Sequence, residues 1–109
     1  MLNEAKKALR VTAEAYDSEI ASLLMAGAKD LKIAGVVLPG TVTFSISQDG
    51  TVTDNSSLRD PLAQRAIFTY ARMHFGSPPD YDRLLAAYET QKVQLMHAER
   101  YTEYGDGEG

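Results

Sequence analysis

The sequence predicts a mainly α protein, a small bundle of about four helices with an inserted β-hairpin. Three observations carry that prediction. Two apolar-periodic stretches of helical length run from Pro61 to Tyr104, parted by Gly76-Ser77-Pro78-Pro79. Shorter and longer stretches of the same rhythm fill the first third of the chain. Between them, Thr41 to Ser47 alternates polar and apolar residues, a period of two that belongs to strands. The expected organisation is one domain over residues 1–104, with the hairpin at about 41–53, and a flexible acidic tail at 105–109.

In chain order, Leu2 to Arg10 reads as a short helix with Asn3 as its cap and Leu2, Ala5, Ala8 and Leu9 as its apolar side. A longer helix starts at Thr12 or Asp17. Ile20, Leu23, Leu24, Ala28 and Leu31 keep its rhythm to about Ala34. Gly27 weakens that helix by about 1 kcal/mol relative to alanine, a cost that close approach of a neighbouring helix would justify. Gly35 is the expected stop.

The hairpin's register follows from its turn. A two-residue Asp49-Gly50 turn would place Val52 on the face opposite Phe44 and Ile46. A three-residue loop with Gly50 left-handed in a bulge pairs Ile46 with Val52. The second register buries Val42, Phe44, Ile46 and Val52 on one face and is preferred for that reason. Asp54 to Ser57 is expected to turn back toward the next helix.

Asp60 caps that helix and Pro61 takes its first position, where a missing N–H costs nothing. Leu62, Ala66, Ile67, Tyr70, Ala71 and Phe75 form its apolar face. Gly76 closes it and Pro78-Pro79 forbid continuation. Asp80 caps the last helix, whose apolar set is Tyr81, Leu84, Leu85, Tyr88, Leu95 and Met96, with a gap at Gln91 and Lys92. The short connection makes the two helices antiparallel neighbours.

Composition excludes several functions. The absence of cysteine removes disulfides and thiolate metal sites and fits a reducing compartment. No apolar run approaches the roughly 18 residues of a membrane span, and Met1 to Lys7 lacks the shape of a signal peptide. Net charge is −4; five Lys/Arg balance five Asp/Glu from Leu2 to Gly35, and only acidic charges follow Arg100. Gripping a phosphate backbone needs clustered Lys/Arg, so direct nucleic-acid binding is not indicated. Such a chain can still surround DNA without adhering to it.

Catalysis needs converging groups, and none converge in the sequence. His74 and His97 fall at opposite ends of an antiparallel pair. Asp80, Asp82 and Glu89 have no metal-ligand spacing, and neither a phosphate loop, a nucleophile elbow nor an H-E-x-x-H motif is present. No enzyme activity, cofactor or metal is expected. Tyr70, Tyr81 and Tyr88 suit a core with a polar tip. Tyr101 and Tyr104, beside Glu103 and Asp106, admit two readings: they seal the end of the bundle, or they contact a partner. With Phe44 and Ile46 of the hairpin, these four make the candidate partner interface.

The ordered set Ala66-Ile67-Phe68-Thr69-Tyr70-Ala71-Arg72-Met73-His74-Phe75-Gly76, Tyr81-Asp82-Arg83-Leu84 and Tyr88-Glu89-Thr90-Gln91-Lys92-Val93-Gln94-Leu95 resembles the small head–tail connector proteins of tailed phages. These are also called adaptor or head-completion proteins. The resemblance covers most of the chain and is most specific from Phe75 to Leu95. It implies a structural virion protein, present in the host cytoplasm during assembly, that forms a ring, commonly of twelve subunits. The ring would dock under the portal protein after packaging, meet a tail-side stopper or completion protein, and extend the channel through which DNA passes without sequence-specific binding. It implies no substrate, cofactor or membrane. The alternatives are a small non-enzymatic helical interaction or regulatory module of bacterial origin, and a DNA-binding packaging subunit using Arg65, Arg72 and Arg83. The first would remain a monomer or dimer that ignores a portal. The second would need a basic helix, and Arg83 lies on a different helix from the other two.

Overall fold

The structure, a computed structural model, describes residues 1–98. It contains α1 (Leu2–Leu9), α2 (Asp17–Ile33), β1 (Phe44–Ile46), β2 (Val52–Asp54), α3 (Pro61–His74) and α4 (Tyr81–His97). This is the mainly α bundle with an inserted hairpin that the sequence predicts.

Asn3 does not cap α1. The cap position is Met1, and Asn3 lies inside the helix. The orphan donor of the first turn finds a distant acceptor instead: the Leu2 N–H donates to Asp54 Oδ2 at 2.9 Å. The Met1 amine reaches the same oxygen at 2.8 Å. Arg10, left-handed at φ 60, closes the helix. Lys6 then pairs with Asp17 at 2.6 Å, tying the end of α1 to the start of α2.

α2 buries Ile20, Ala21, Leu24, Gly27, Ala28 and Leu31 along one side. Gly27 does what its sequence context suggests. A Cβ there would lie 3.0 Å from Tyr70 Cδ1, so the glycine lets α3 approach. Gly35, at φ +102, ends the helix, and the Val36 N–H returns to Leu31 O at 3.0 Å. That bond and the burial of both side chains are the signature of a Schellman stop.

The hairpin adopts the preferred register, with Ile46 opposite Val52, Ser45 opposite Thr53 and Phe44 opposite Asp54. Ser47 and Thr51 close the loop, the Gly50 N–H donates to Ser47 O at 3.0 Å, and Gly50 has φ +88. Two expectations fail here. Ile46 is 42% exposed while Phe44 is 7% exposed, because the ribbon leaves the helices after Phe44 and carries Ile46 past the core edge. Asp54 to Ser57 is not a turn. Pairing continues irregularly, with the Asn55 N–H on Thr43 O and the Ser57 N–H on Thr41 O, both at 2.9 Å. This extension delivers Leu58, fully buried, into the core.

Asp60 caps α3 through a 2.9 Å bond from the Ala63 N–H to its Oδ2, and Gly76 follows the helix at φ +68. The buried face comprises Ala63, Ala66, Ile67, Ala71 and Met73, with Thr69 donating to Arg65 O at 2.9 Å. Leu62, expected on that face, is exposed, because it sits in the first turn at the edge where α4 ends, beside Leu95 and Ala98. Asp80 occupies the cap position of α4 without capping it; its carboxylate binds Arg83 instead. Leu84, Tyr88 and Leu95 are buried, whereas Tyr81, Leu85 and Met96 remain exposed on a flank.

α3 and α4 run antiparallel. Tyr70 meets Tyr88 with ring centroids 5.6 Å apart, and His74, one turn further along α3, meets Tyr81, nearly two turns earlier in α4, at 6.3 Å. α3 packs between α2 and α4, and α2 in turn supports the hairpin. One core of buried residues joins Ala5, the three long helices, Phe44 and Leu58.

Candidate interaction surfaces

An exposed apolar flank runs along α4. Tyr81, Leu85, Val93 and Met96 fall there, next to but outside the buried row Leu84, Tyr88 and Leu95. Val93 is 48% exposed. Asp82 and Glu89 share this flank by helical spacing. The flank is therefore apolar with acidic members, a pattern a packed core does not require.

A polar contact joins α4 to α2. The Tyr88 hydroxyl donates to Asp30, and Lys92 lies 3.6 Å from the same carboxylate, 3.4 Å from Glu89 and 5.1 Å from the centre of the Tyr88 ring. Lys92 is the residue that interrupts the apolar pattern of α4. Burial pushes the Tyr88 hydroxyl well above the ordinary tyrosine range, and its bond to the Asp30 carboxylate adds to this. Tyr70 is shifted the same way, first by burial and then by the Asp30 charge.

The second surface lies on the other side of α2. A groove of about 400 Å³ runs between α2 and the segment leading into β1. Its walls include Met25, Lys29, Lys32 and Ile33 from α2, and Leu38 and Val42 from the following chain. Ile33 is 76% exposed at the groove's end. Lys32 is two residues from Asp30, roughly 200° round the helix, so the groove and the α4 contact use opposite flanks of α2. Neither Lys29 nor Lys32 has an ion-pair partner among the described residues.

The hairpin loop beyond the groove is internally fixed. The Ser47 hydroxyl and the Thr51 N–H both donate to Asp49 Oδ1, the latter at 3.0 Å. The Ser47 bond is the main reason the Asp49 carboxyl is pulled down to about 2, with Thr51 contributing next. At Asp54 burial acts upward, but the bonds from the Met1 amine and from the Leu2 and Ser56 N–H groups outweigh it and hold the carboxyl well below its ordinary range.

The residues nominated from sequence are not gathered into one patch. Phe44 faces the core, where its contacts are internal, while Ile46 is open near the hairpin loop. Tyr101, Glu103, Tyr104 and Asp106 lie outside the described residues. The two histidines are apart: the His74 ring lies against Tyr70, tilted at 52° with centroids 4.5 Å apart, and His97 ends α4. No group of three or more His, Asp or Glu among the described residues is arranged to hold a metal. Arg72 meets Arg10 at a shallow pocket with Phe75 and Asp80, while Arg83 is tied to Asp80.

Sequence reasoning missed Ile33 and Val93. Each is an apolar residue off its helix's buried face, and that displacement is the signal that could have found them. Lys29 and Lys32 gave no signal as a pair, since a charged helix flank is ordinarily solvated.

The described residues thus present an exposed apolar flank on α4 and a groove of mixed lining beside α2. The family model described as phage connector protein matches residues 1–102, and the chain belongs to that family. It is thus a structural connector of the phage virion. No curated protein and no solved structure matches it. Among the described residues, no helix is long and apolar enough to cross a membrane.

Proposed function

We propose that this chain forms a ring between the portal and the tail, extending the DNA channel once packaging is complete. Family membership over residues 1–102 is the observation that carries the reading. The two unlike apolar surfaces add to it, because a cyclic ring is held by heterologous contacts and each subunit must carry two different faces. The net charge of −4 is compatible with a channel along which DNA slides, since like charge opposes adhesion. Ile46 on the hairpin, together with Tyr101, Glu103, Tyr104 and Asp106, is assigned to contacts with the portal or the tail-side completion protein.

The test is the mass of the purified chain in solution, alone and with its portal ring. A ring present alone, or assembled on the portal, supports the reading. A monomer or dimer that ignores the portal across a wide concentration range overturns it in favour of a regulatory interaction module.

A further inference from the structure

We infer that the α4 flank of one copy docks into the α2–hairpin groove of the next. The inference rests on the ring reading and specifies which faces meet. The groove is lined by Met25, Leu38 and Val42 together with Lys29 and Lys32, neither lysine paired among the described residues. The α4 flank offers Leu85 and Val93, with Asp82 and Glu89 alongside. Apolar surface thus meets apolar surface, and two unpaired cations meet Asp82 and Glu89, the latter already shared with Lys92 of its own chain at 3.4 Å. The placement also suits a ring. Asp30 directs one side of α2 toward α4, while Lys32 and the groove occupy the other. A face and its complement on opposite sides of a subunit generate a head-to-tail contact that repeats from copy to copy.

A flank-on-flank contact would not use the lysines and would stop at a dimer. It would also set Glu89 and Asp82 of one copy against those of another, which like-charge repulsion disfavours. The occupant of the groove is therefore a second copy of this chain, placed head to tail.

The chain's lack of cysteine makes the test direct. Ile33→Cys and Val93→Cys place thiols at two exposed positions, one on each face. Mixed as single variants and oxidised with diamide, they should form the disulfide between positions 33 and 93 at least tenfold faster than Val93→Cys paired with Thr51→Cys, an exposed control on the hairpin loop. The double variant should give a ladder of covalent oligomers. K29E/K32E should abolish the advantage, and D82K/E89K in the partner copy should restore it. Cross-linking no faster than the control overturns the pairing. So does a faster linkage between two copies of the Val93→Cys variant than between that variant and Ile33→Cys. These outcomes are separate from the ring reading: wild-type chain that never assembles on a portal defeats the ring, whereas equal cross-linking rates beside intact wild-type assembly defeat only this choice of faces.

Discussion

Asp54, the last residue of β2, accepts the backbone N–H of Leu2 at 2.9 Å and so fastens the hairpin to the first turn of α1. The acceptor is fifty-two residues away from the donor in sequence. A carboxylate at this position satisfies an orphan donor and complements the positive end of the helix. Asp54→Ala should cost about 1 kcal/mol, in the range of a lost helix cap, and free the start of α1. Urea denaturation measures the first effect, and amide exchange at the first turn of α1 measures the second. Unchanged exchange there would show that the bond does not hold the helix.

The same residue gives the fold an acid-sensitive contact. Its carboxyl is held below the ordinary value of 3.8, so it stabilises the folded state above that value. That stability fades as pH falls below the ordinary value toward the lower folded one. Melting temperature should drop with acid more steeply in the wild type than in Asp54→Asn, while at neutral pH the variant is the less stable of the two. Parallel curves would remove Asp54 from the acid response.

The contacts of Asp54 show where sequence reading stops. Register was legible because turn geometry and the face of Val52 permit one self-consistent pairing, Ile46 with Val52. Asp60 was legible as a cap because its donors lie in the next three residues. Asp54 serves donors across the molecule, and no local pattern marks such a bond. Asn3 looked like a cap by local rules and lost that role to it. Leu58 was hidden for a related reason: the irregular pairing of Asn55 to Ser57 with Thr41 and Thr43 that buries it has no sequence period. Tyr81, Leu85 and Met96 of the exposed α4 flank were counted as core because they lie next to the buried row Leu84, Tyr88 and Leu95. Helical spacing gives a face's direction, but the width covered is decided by the neighbours, here α2 and α3.

Gly27 and Tyr70 set the distance between α2 and α3. A Cβ at residue 27 would meet Tyr70 Cδ1 at 3.0 Å, Cγ at 3.2 Å and Cβ at 3.3 Å. Because the Tyr70 Cβ is among them, the ring cannot simply swing aside. Gly27→Ala should destabilise by about 1–2 kcal/mol, overpacking outweighing the gain in helix propensity. In a Tyr70→Gly background, which removes the Cβ together with the ring, the same change should stabilise by about 1 kcal/mol, as propensity then acts alone. A double-mutant cycle from denaturation curves checks both signs. Destabilisation of equal size in both backgrounds would defeat the packing account.

Gly40 is tighter still. A Cβ there would lie 2.7 Å from Leu58 Cα and 2.9 Å from Leu58 N, backbone atoms with no rotamer to change. Gly40→Ala must therefore move Leu58, a fully buried anchor of the core, and should cost on the order of 3 kcal/mol. Gly50→Ala, where nothing lies within 4 Å of the added carbon, should cost only about 1 kcal/mol through its φ of +88. Thermal melts of the two variants should rank in that order, and equal losses would refute the close-approach argument.

Tyr88 joins burial to the α2–α4 contact, and alkali separates the two. Its hydroxyl is held above the ordinary value of 10, first by burial and then by the bond to Asp30, so folding keeps it protonated. The unfolded chain ionises near that ordinary value and is favoured as pH rises beyond it, so this contribution to stability is complete below about pH 10 and declines above. Tyr88→Phe removes the declining contribution. At neutral pH the variant should lose about 1–3 kcal/mol, because the hydrogen bond to a charged acceptor is gone, although Lys92 still attends Asp30 at 3.6 Å. Above pH 10 the deficit should narrow, since phenylalanine has no proton to release on unfolding. Denaturation midpoints from pH 7 to 11 test this. A deficit that stays constant or widens would mean that Tyr88 ionises in the folded chain as readily as in the unfolded one.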